Sequence, residues 1–284
     1  MKKLINGLLN TKSYDNFKFN RRIGKPNVSI RVWSLFSHKT QYRVKIHFTN
    51  ALFNTQYTYG LNVFNIRANS TTKSDLKKLG VFNNRIINRV LYLVDERLKI
   101  QFNKRIITEK PPYLFNPLFL SYSDNIYFQG YWQDVRYFKS IEKIIRKEFT
   151  FKIPLDKKNK EIANIINKTN SISIHVRRGD YVNNAINHKA VVLGVNYYKE
   201  KINIIETKVK KPIYFVFSND IAWCKQNLKI KHETYFINHN KGSDSYRDMQ
   251  LMSLCKHNII ANSTFSWWGA WLNKNLNKIV IKPM

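Results

Sequence analysis

Two adjacent arginines follow a short apolar stretch near the middle of the chain. Residues 172–176 alternate apolar and polar side chains, which predicts a strand, and Arg177-Arg178-Gly179-Asp180 follows directly. An arginine side chain presents a planar fork that binds phosphate oxygens in pairs, and a glycine lets the backbone approach a ligand closely. These residue types favour a phosphate site, although a lone Arg-Arg pair is more often a surface turn paired with carboxylates.

Two further polar clusters follow apolar runs that predict strands. Ser218-Asn219-Asp220 comes after 213–217, and Asn262-Ser263-Thr264-Phe-Ser266 comes after 258–261. Strands alternate with helices here, which predicts a parallel sheet, and the carboxyl ends of parallel strands line one crevice where ligands bind. We therefore expect all three clusters at one edge of a sheet, and the third also opens a helix whose N-terminus favours phosphate.

Each cluster also has a purely structural interpretation. Asp220 and the pair Ser263-Thr264 are residue types that cap helices without contacting any ligand. The tryptophans at 267, 268 and 271 are more typical of packing than of a platform for a sugar.

The elements that must position these residues are clear in the second half of the chain. Strands are predicted at 172–176, 213–217, 234–237, 258–261 and 278–282, and helices at 197–208, 221–228, 245–256 and 266–274. In the first half, residues 1–55 have no assignable period, a helix is predicted over 85–104 and a strand over 125–133. A further helix is predicted after that strand, because 138, 141, 144 and 145 place apolar residues on one face.

A polar, lysine-rich stretch at 152–160 contains Pro154 and predicts a domain junction. The predicted domains are 1–155 and 156–284, and the second carries the three clusters. A chain of 284 residues with 43% hydrophobic residues can build two globular cores.

The formal net charge of +31 favours polyanionic partners, which are nucleic acid, acidic lipid or a phosphorylated substrate. The charge is spread along the chain, however, and a bias toward A/T-rich codons explains the abundant lysine equally well. Two cysteines without a Cys/His cluster exclude a disulfide framework, and with no targeting segment they favour a cytoplasmic protein. No stretch predicts a membrane span, but the positive charge would attract the protein peripherally to an anionic membrane face.

The chain contains no Asp-X-Asp pair, the usual carboxylate clamp for a divalent metal on a diphosphate. Arg177 and Arg178 can instead neutralise the charge that develops on a diphosphate leaving group. We therefore expect no metal.

Two longer stretches resemble the α-1,2-fucosyltransferases of glycosyltransferase family 11. They are His175-Val-Arg-Arg-Gly-Asp-Tyr181 and Asn258-Ile-Ile-Ala-Asn-Ser-Thr-Phe-Ser-Trp-Trp-Gly-Ala-Trp271, with further similarity at 130–133 and 215–220. The resemblance runs from about Tyr59 to the end of the chain. It implies an α/β, GT-B-like fold of two facing Rossmann-type domains with parallel sheets. Residues 1–155 would form the acceptor-side domain, which we expect to be incomplete, and 156–284 the GDP-sugar-binding Rossmann-like domain.

The same resemblance implies the reaction and its substrates. GDP-fucose would be the donor, a terminal galactose of a surface glycan the acceptor, and the transfer would invert the anomeric carbon of fucose without a metal or other cofactor.

Site roles follow from the resemblance by matching position. Arg177 and Arg178 would hold the diphosphate, and His175 and Asp220 would lie near the nucleoside, with Asp220 on the guanine edge. Asp180 would orient an arginine or assist removal of the acceptor proton, and the catalytic base is not identified. Substrate contacts are also implied for the third cluster, where phosphate oxygens would accept from Ser263, Thr264 and Ser266, beside Asn262.

The N-terminal part departs from the family pattern. Family members open with Gly-Gly-Leu-Gly-Asn-Gln-Met-Phe-Gln-Tyr-Ala-Phe, and Arg21-Arg-Ile-Gly-Lys-Pro-Asn-Val-Ser-Ile-Arg-Val-Trp33 stands near that place. Permitted codons for this stretch, read one nucleotide later, encode the whole family loop. We hypothesise that the start of the chain is translated out of frame, with the family frame restored before Tyr59, and that this impairs activity. Family members also usually continue beyond Pro283-Met284.

Two other functions stay open. A non-catalytic remnant would bind GDP without turnover. A basic nucleic-acid-binding protein would lose affinity steeply with salt, but it would leave the three converging clusters unexplained, so we expect no nucleic-acid partner.

Overall fold

A computed structural model describes residues 2–6, 43–47, 61–66, 69–70, 74, 106–109, 114–122, 126–129, 134–183 and 192–283. The chain divides into two compact units. Residues Phe64–Thr150 belong to the first unit and Phe151–Met284 to the second. The predicted helix at 85–104 and the altered stretch 21–33 lie outside the described residues.

The first unit contains a parallel sheet with strand order β3-β2-β1-β5-β4. Its strands are β1 (Lys2–Asn6), β2 (Arg43–His47), β3 (Asn69–Ser70), β4 (Ile106–Thr108) and β5 (Tyr127–Gln129). Short 3₁₀ turns occupy Pro117–Leu120, Val135–Tyr137 and Lys139–Ile141, and helix α1 (Glu142–Glu148) follows. The helix predicted around 138–145 is therefore one 3₁₀ turn, Lys139–Ile141, followed by the short helix α1, with Phe138 and Ile145 buried as their spacing predicted.

The second unit contains a parallel sheet with strand order β10-β9-β6-β7-β8. Its strands are β6 (Asn170–Val176), β7 (Pro212–Ser218), β8 (Thr234–Ile237), β9 (His257–Ile259) and β10 (Val280–Ile281). Its helices are α2 (Lys157–Lys168), α3 (Gly179–Asn183), α4 (Val195–Glu206), α5 (Ile221–Asn227), α6 (Tyr246–Leu254) and α7 (Thr264–Leu272). The predicted α/β class with parallel sheets is confirmed, and every element predicted after residue 170 is present within a few residues.

Strand β6 is central in its sheet, and both of its faces are buried. Ile172, Ile174 and Val176 face a core shared with helices α4 and α5, where Tyr198 and Cys224 are fully buried. On the opposite face, Ser173 accepts a hydrogen bond from the Asn258 side chain at 2.7 Å. Since a buried polar group must find a partner, this pairing explains how polar residues alternate through a fully buried strand.

Helix α2 was not predicted, because its first turn lies inside the polar stretch interpreted as a domain junction. Asp156 caps this helix by accepting a hydrogen bond from the Asn159 backbone N–H at 2.9 Å. Ala163 and Ile166 are buried, whereas the lysines of the first turn are exposed. The lysine-rich composition therefore belongs to the solvent face of an amphipathic helix.

Within the described residues, no helix has the length and apolar character needed to cross a membrane.

Candidate functional site

The three polar clusters lie at the same edge of the second sheet. Strands β6 and β7 run parallel with Val176 opposite Ser218, and β9 pairs with the other side of β6, with Ile259 opposite Ile174. Each strand therefore ends level with its neighbours, and the loops that follow emerge together. The predicted convergence of the clusters is confirmed.

Arg178 is held in place by residues of the loop after β7. Its Nε lies 3.3 Å from Asp220 Oδ2, and its guanidinium carbon lies 4.0 Å above the Trp223 ring. The Arg178 side chain is 17% exposed, so one part of the guanidinium still reaches solvent. An arginine fixed by an ion pair and a ring in this way can receive an anion with little loss of side-chain freedom.

Asp220 has two structural partners. Its Oδ1 accepts a hydrogen bond from the Trp223 backbone N–H at 3.1 Å and caps helix α5, while its Oδ2 contacts Arg178. The capping interpretation of Asp220 is therefore confirmed. The contact with the guanine edge stays a prediction, and any such contact would share a carboxylate that already holds Arg178.

Gly179 lies where no larger residue fits. A Cβ at this position would lie 2.3 Å from Asn219 Nδ2, well inside van der Waals contact. Asn219 is itself oriented, because its Oδ1 accepts a hydrogen bond from the Arg178 backbone N–H at 3.0 Å. The glycine thus permits the close approach of the loops after β6 and β7.

Arg177 lies on the other side of this turn, toward the third cluster. Its guanidinium carbon is 5.3 Å from the centre of the Tyr181 ring, and the Tyr181 hydroxyl donates to the Asn262 carbonyl at 3.2 Å. Tyr181 therefore links the loop after β6 to the loop after β9. The sequence motif includes this tyrosine, but its linking role depends on contacts between loops 81 positions apart.

The third cluster opens helix α7. Ser263 occupies the N-cap position with extended backbone angles, and its carbonyl accepts from the Trp267 N–H at 3.1 Å, but its side chain makes no capping bond. Ser263 and Thr264 are half-buried, and Asn262 is exposed. Their contacts with phosphate stay predictions that this exposure permits.

Ser266 differs from its two neighbours, because it is fully buried. Its hydroxyl lies 3.2 Å from the Ser263 carbonyl and 3.4 Å from the Ala261 carbonyl, to which it can donate. The geometry does not support the predicted donation from Ser266 to phosphate. Ser266 instead stabilises the turn that presents Ser263 and Thr264.

His175 is buried at the end of β6, and its ring centre lies 5.6 Å from that of Phe265. Burial, with a smaller contribution from the charge of Arg177, lowers the pKa of His175 to about 3. The imidazole is therefore neutral near pH 7, and its Nδ1 has no hydrogen-bond partner among the described residues. The predicted contact with the nucleoside stays a prediction.

Asp180 lies in helix α3, but its side chain falls outside what the structure describes. The tryptophans of α7 are described, and they pack as expected. Trp268 is 1% exposed and packs edge to face against two neighbours. Its ring centre lies 4.9 Å from that of Trp267 and 5.3 Å from that of Trp271.

A fourth polar loop follows β8 and was missed in the sequence. The Asn240 side chain exchanges two hydrogen bonds with the buried Asn159 side chain, at 2.9 and 3.0 Å, and it donates to Asp248 at 2.8 Å. Burial raises the pKa of Asp248 to about 7, against the opposing effect of the Asn240 hydrogen bond. The signal was available, since Asn238-His239-Asn240 follows a predicted strand just as the other three clusters do.

Over the residues that the structure describes, no group of three His, Cys, Asp or Glu side chains is arranged to hold a metal ion. The chemistry that this edge can supply is anion binding, through two guanidinium groups and the start of a helix.

Residues 111–283 match the model of glycosyl transferase family 11. The α-1,2-colitosyltransferase of Escherichia coli is 41% identical over 169 residues, which is 57% of each protein, so the match spans little more than half of that relative. The O-antigen biosynthesis glycosyltransferase WbnK of Escherichia coli is 32% identical over 81% of this chain and 78% of its own length.

Galactoside α-(1,2)-fucosyltransferase 2 of Bos taurus is 36% identical over 36% of this chain and 30% of its own length. Among solved structures, NodZ α-1,6-fucosyltransferase soaked with GDP-fucose is 13% identical with a TM-score of 0.44, over 82% of both chains. The family model covers more than half of the chain and includes the loops after β6, β7 and β9. The chain therefore belongs to glycosyltransferase family 11 and is a glycosyltransferase of the α-1,2-fucosyltransferase-like kind.

Proposed function

We propose that the protein transfers fucose from GDP-fucose to the 2-hydroxyl of a terminal galactose on a surface glycan. The observation that carries this proposal is the fixed Arg178, held by Asp220 and Trp223 beside Arg177 at the edge where three loops meet. A nucleotide-sugar donor carries its negative charge on the diphosphate, which two guanidinium groups complement.

In an inverting transfer, the acceptor oxygen attacks the anomeric carbon from the face opposite the diphosphate, and the bond from that carbon to the phosphate oxygen breaks. The bonding electrons leave with GDP, so negative charge grows on its β-phosphate. Arg177 and Arg178 would stabilise that charge as it develops, and the N-terminus of α7 at Ser263 and Thr264 would add its partial positive charge. We propose this as a metal-independent reaction, in which Asp180 assists removal of the acceptor proton.

The proposed acceptor rests on the names of the relatives. One relative is named for O-antigen biosynthesis and another for a galactoside, which supports a galactose-terminated surface glycan as acceptor. A cytoplasmic location fits a GDP-sugar donor.

A second donor is favoured by one observation, because the relative with 41% identity is named a colitosyltransferase. Colitose is fucose without its 3-hydroxyl, so the same diphosphate site would serve either donor. Parallel assays with GDP-fucose and GDP-colitose on one galactoside would separate them, since a site that hydrogen-bonds the 3-hydroxyl would reject the deoxy sugar strongly.

The first test is calorimetric titration of GDP into the purified chain, with EDTA present, beside the Arg177→Ala variant. We expect micromolar binding that survives EDTA and weakens at least tenfold in the variant, since a charge-assisted hydrogen bond contributes about 1.5–3 kcal/mol. A folded chain that does not bind GDP would contradict the proposal. Binding without turnover on GDP-sugar and galactoside would instead identify a non-catalytic remnant.

A further inference from the structure

Three exposed aliphatic side chains lie on two adjoining turns of the first unit. Leu114 is 72% exposed, Leu118 64% and Val135 43%. The turns are joined, because the Asn116 backbone N–H donates to the Tyr137 hydroxyl at 2.9 Å and that hydroxyl donates to the Leu114 carbonyl at 3.4 Å. Single exposed leucines are ordinary, but a group on one small element indicates an interaction surface. We call Leu114, Leu118 and Val135 the apolar tip.

The apolar tip stands on a packed aromatic base. Phe119, Tyr137 and Phe138 are buried, and the Phe115 and Tyr137 ring centres lie 4.7 Å apart. The Arg136 guanidinium carbon covers the Phe115 ring at 4.3 Å. Because the base is packed, the leucines are held outward by the fold, and they cannot turn inward without displacing a buried ring.

Three exposed lysines follow Val135 in the sequence. Lys139, Lys143 and Lys147 are exposed and recur every four residues, so they follow one another along the outer side of the last 3₁₀ turn and helix α1. The opposite side of this helix is buried through Ile145 and Glu148. We call Lys139, Lys143 and Lys147 the lysine row.

Exposed apolar side chains followed along the chain by exposed lysines match the two components of an anionic bilayer surface. The aliphatic groups enter the boundary between headgroups and acyl chains, while the ammonium groups stay among the lipid phosphates. A nucleic-acid duplex would complement the lysines, but its apolar base faces are stacked inside, so exposed leucines would reach them only at the cost of unstacking bases. We propose that the apolar tip and the lysine row seat the first unit on an anionic lipid bilayer.

The proposal concerns a surface of the first unit and does not depend on the donor or the acceptor. The overall charge of +31 would bring the protein toward any anionic membrane, whereas this surface would decide which part makes contact. An enzyme anchored in this way would act on acceptors carried at the membrane face.

Sedimentation with lipid vesicles tests the proposal on the full chain. Vesicles of phosphatidylcholine and phosphatidylglycerol would be compared with vesicles of phosphatidylcholine alone. One variant combines Leu114→Ser, Leu118→Ser and Val135→Ser, and a second combines Lys139→Gln, Lys143→Gln and Lys147→Gln. The matched control removes three exposed lysines of the second unit, through Lys208→Gln, Lys210→Gln and Lys231→Gln. All substituted side chains are exposed, and circular dichroism would verify that each variant is folded.

We expect the parent and the control to bind the anionic vesicles alike, and each test variant to bind at least tenfold more weakly. Two results would overturn the proposal. If the serine variant binds like the parent, the contact is charge adsorption without apolar insertion. If the control loses as much affinity as the lysine-row variant, binding follows the total charge and no particular surface is responsible.

Discussion

Arg178 shows how one residue can be prepared for an anion before any ligand is present. Its Nε faces Asp220, its guanidinium carbon lies 4.0 Å from the centre of the Trp223 ring, and its backbone N–H donates to Asn219 Oδ1. A lysine at this position would keep the charge but would lose the planar fork and the stacking. The chemistry of the site therefore depends on arginine specifically.

The first residue-scale prediction compares Arg178→Lys with Lys199→Arg, a charge-preserving control at an exposed position of helix α4. We expect Arg178→Lys to weaken GDP binding roughly tenfold or more, because the bidentate contact is lost while the formal charge is unchanged. Calorimetry of both variants measures the difference. Equal affinities would show that Arg178 does not bind the diphosphate.

The second prediction concerns Gly179. A Cβ here would lie 2.3 Å from Asn219 Nδ2, so Gly179→Ala must move the Asn219 side chain and disturb its hydrogen bond with the Arg178 backbone N–H. We expect a loss of about 1–3 kcal/mol in the free energy of unfolding, together with weaker GDP binding. Gly194→Ala is the control, since a Cβ at position 194 would have no neighbouring atom within 4 Å. Chemical denaturation that shows Gly179→Ala to be as stable as the parent would contradict the close approach.

The third prediction is a pH dependence that arises at His175. Its pKa is about 3 in the folded protein, whereas an unfolded histidine has a pKa of about 6.5. Between these values the unfolded chain binds a proton that the folded chain does not, so the free energy of unfolding falls as the pH is lowered from about 6.5 toward 3. The contribution of His175 is fully present above pH 6.5.

Urea denaturation at pH 7 and pH 5 checks this dependence, with His175→Gln beside the parent. The parent should lose more stability between the two values, by about 1–2 kcal/mol, because glutamine does not titrate. Identical losses in parent and variant would show that His175 is not the source.

At the scale of elements, helix α2 and the loop after β8 are joined through one buried side chain. Asn159 is fully buried, and its amide bonds Asp156 and Asn240 while its oxygen also lies 3.0 Å from His239 Nε2. Since Phe217 and Ile237 are opposite each other in register, Asn240 follows β8 at the level where Asp220 follows β7. The start of α2 therefore supports a loop at the edge that carries the candidate site.

The element-scale prediction compares Asn159→Ala with Asn273→Ala. Asn273 is 2% exposed and donates to Cys255 and Asn258, so both substitutions remove a buried amide with several hydrogen bonds. Both variants should lose about 1–3 kcal/mol of unfolding free energy per unsatisfied group. Only Asn159→Ala should also weaken GDP binding when measured at a temperature where both are folded. Equal GDP affinities in the two variants would limit Asn159 to a structural role.

At the scale of the whole molecule, the candidate donor-site residues and the altered start of the chain are distant in the sequence. The second unit contains every candidate donor-site residue of the described chain, whereas the stretch 21–33 that departs from the family pattern lies far from those residues in the sequence. We expect a change of reading frame near the start to reduce turnover while leaving donor binding intact, because every donor-site motif lies in the part of the chain that keeps the family pattern.

The whole-molecule prediction tests this expectation. A chain in which the whole out-of-frame stretch, from 21 to the return of the family frame before Tyr59, is replaced by its reading one nucleotide later should bind GDP with the affinity of the present chain and turn over GDP-sugar faster. Calorimetry and a transfer assay on both chains measure these two quantities. Equal turnover, or a gene whose shifted frame does not encode the loop, would end the frameshift hypothesis.

The sequence by itself determined the class of the fold and the place of the site. Strand and helix periods are local properties, so the alternation from residue 170 onward predicted a parallel sheet with polar clusters after β6, β7 and β9. It also singled out Arg177 and Arg178, because a guanidinium keeps its charge and its planar fork of donors in almost any surroundings. Helix α2 was not predicted, because its first turn consists of polar residues and lysines and so shows no apolar period.

Only the tertiary structure decided what each of these residues contacts. Arg178 meets Asp220 across 42 positions, Asn159 meets Asn240 across 81, and Ser266 turns inward while Ser263 and Thr264 stay half-buried. Such contacts depend on the register between strands and on how helices pack over the sheet. The spacing of apolar residues along one segment contains no information on either. The same residue types could have capped helices, paired on the surface or bound a phosphate, and packing alone selected among these outcomes.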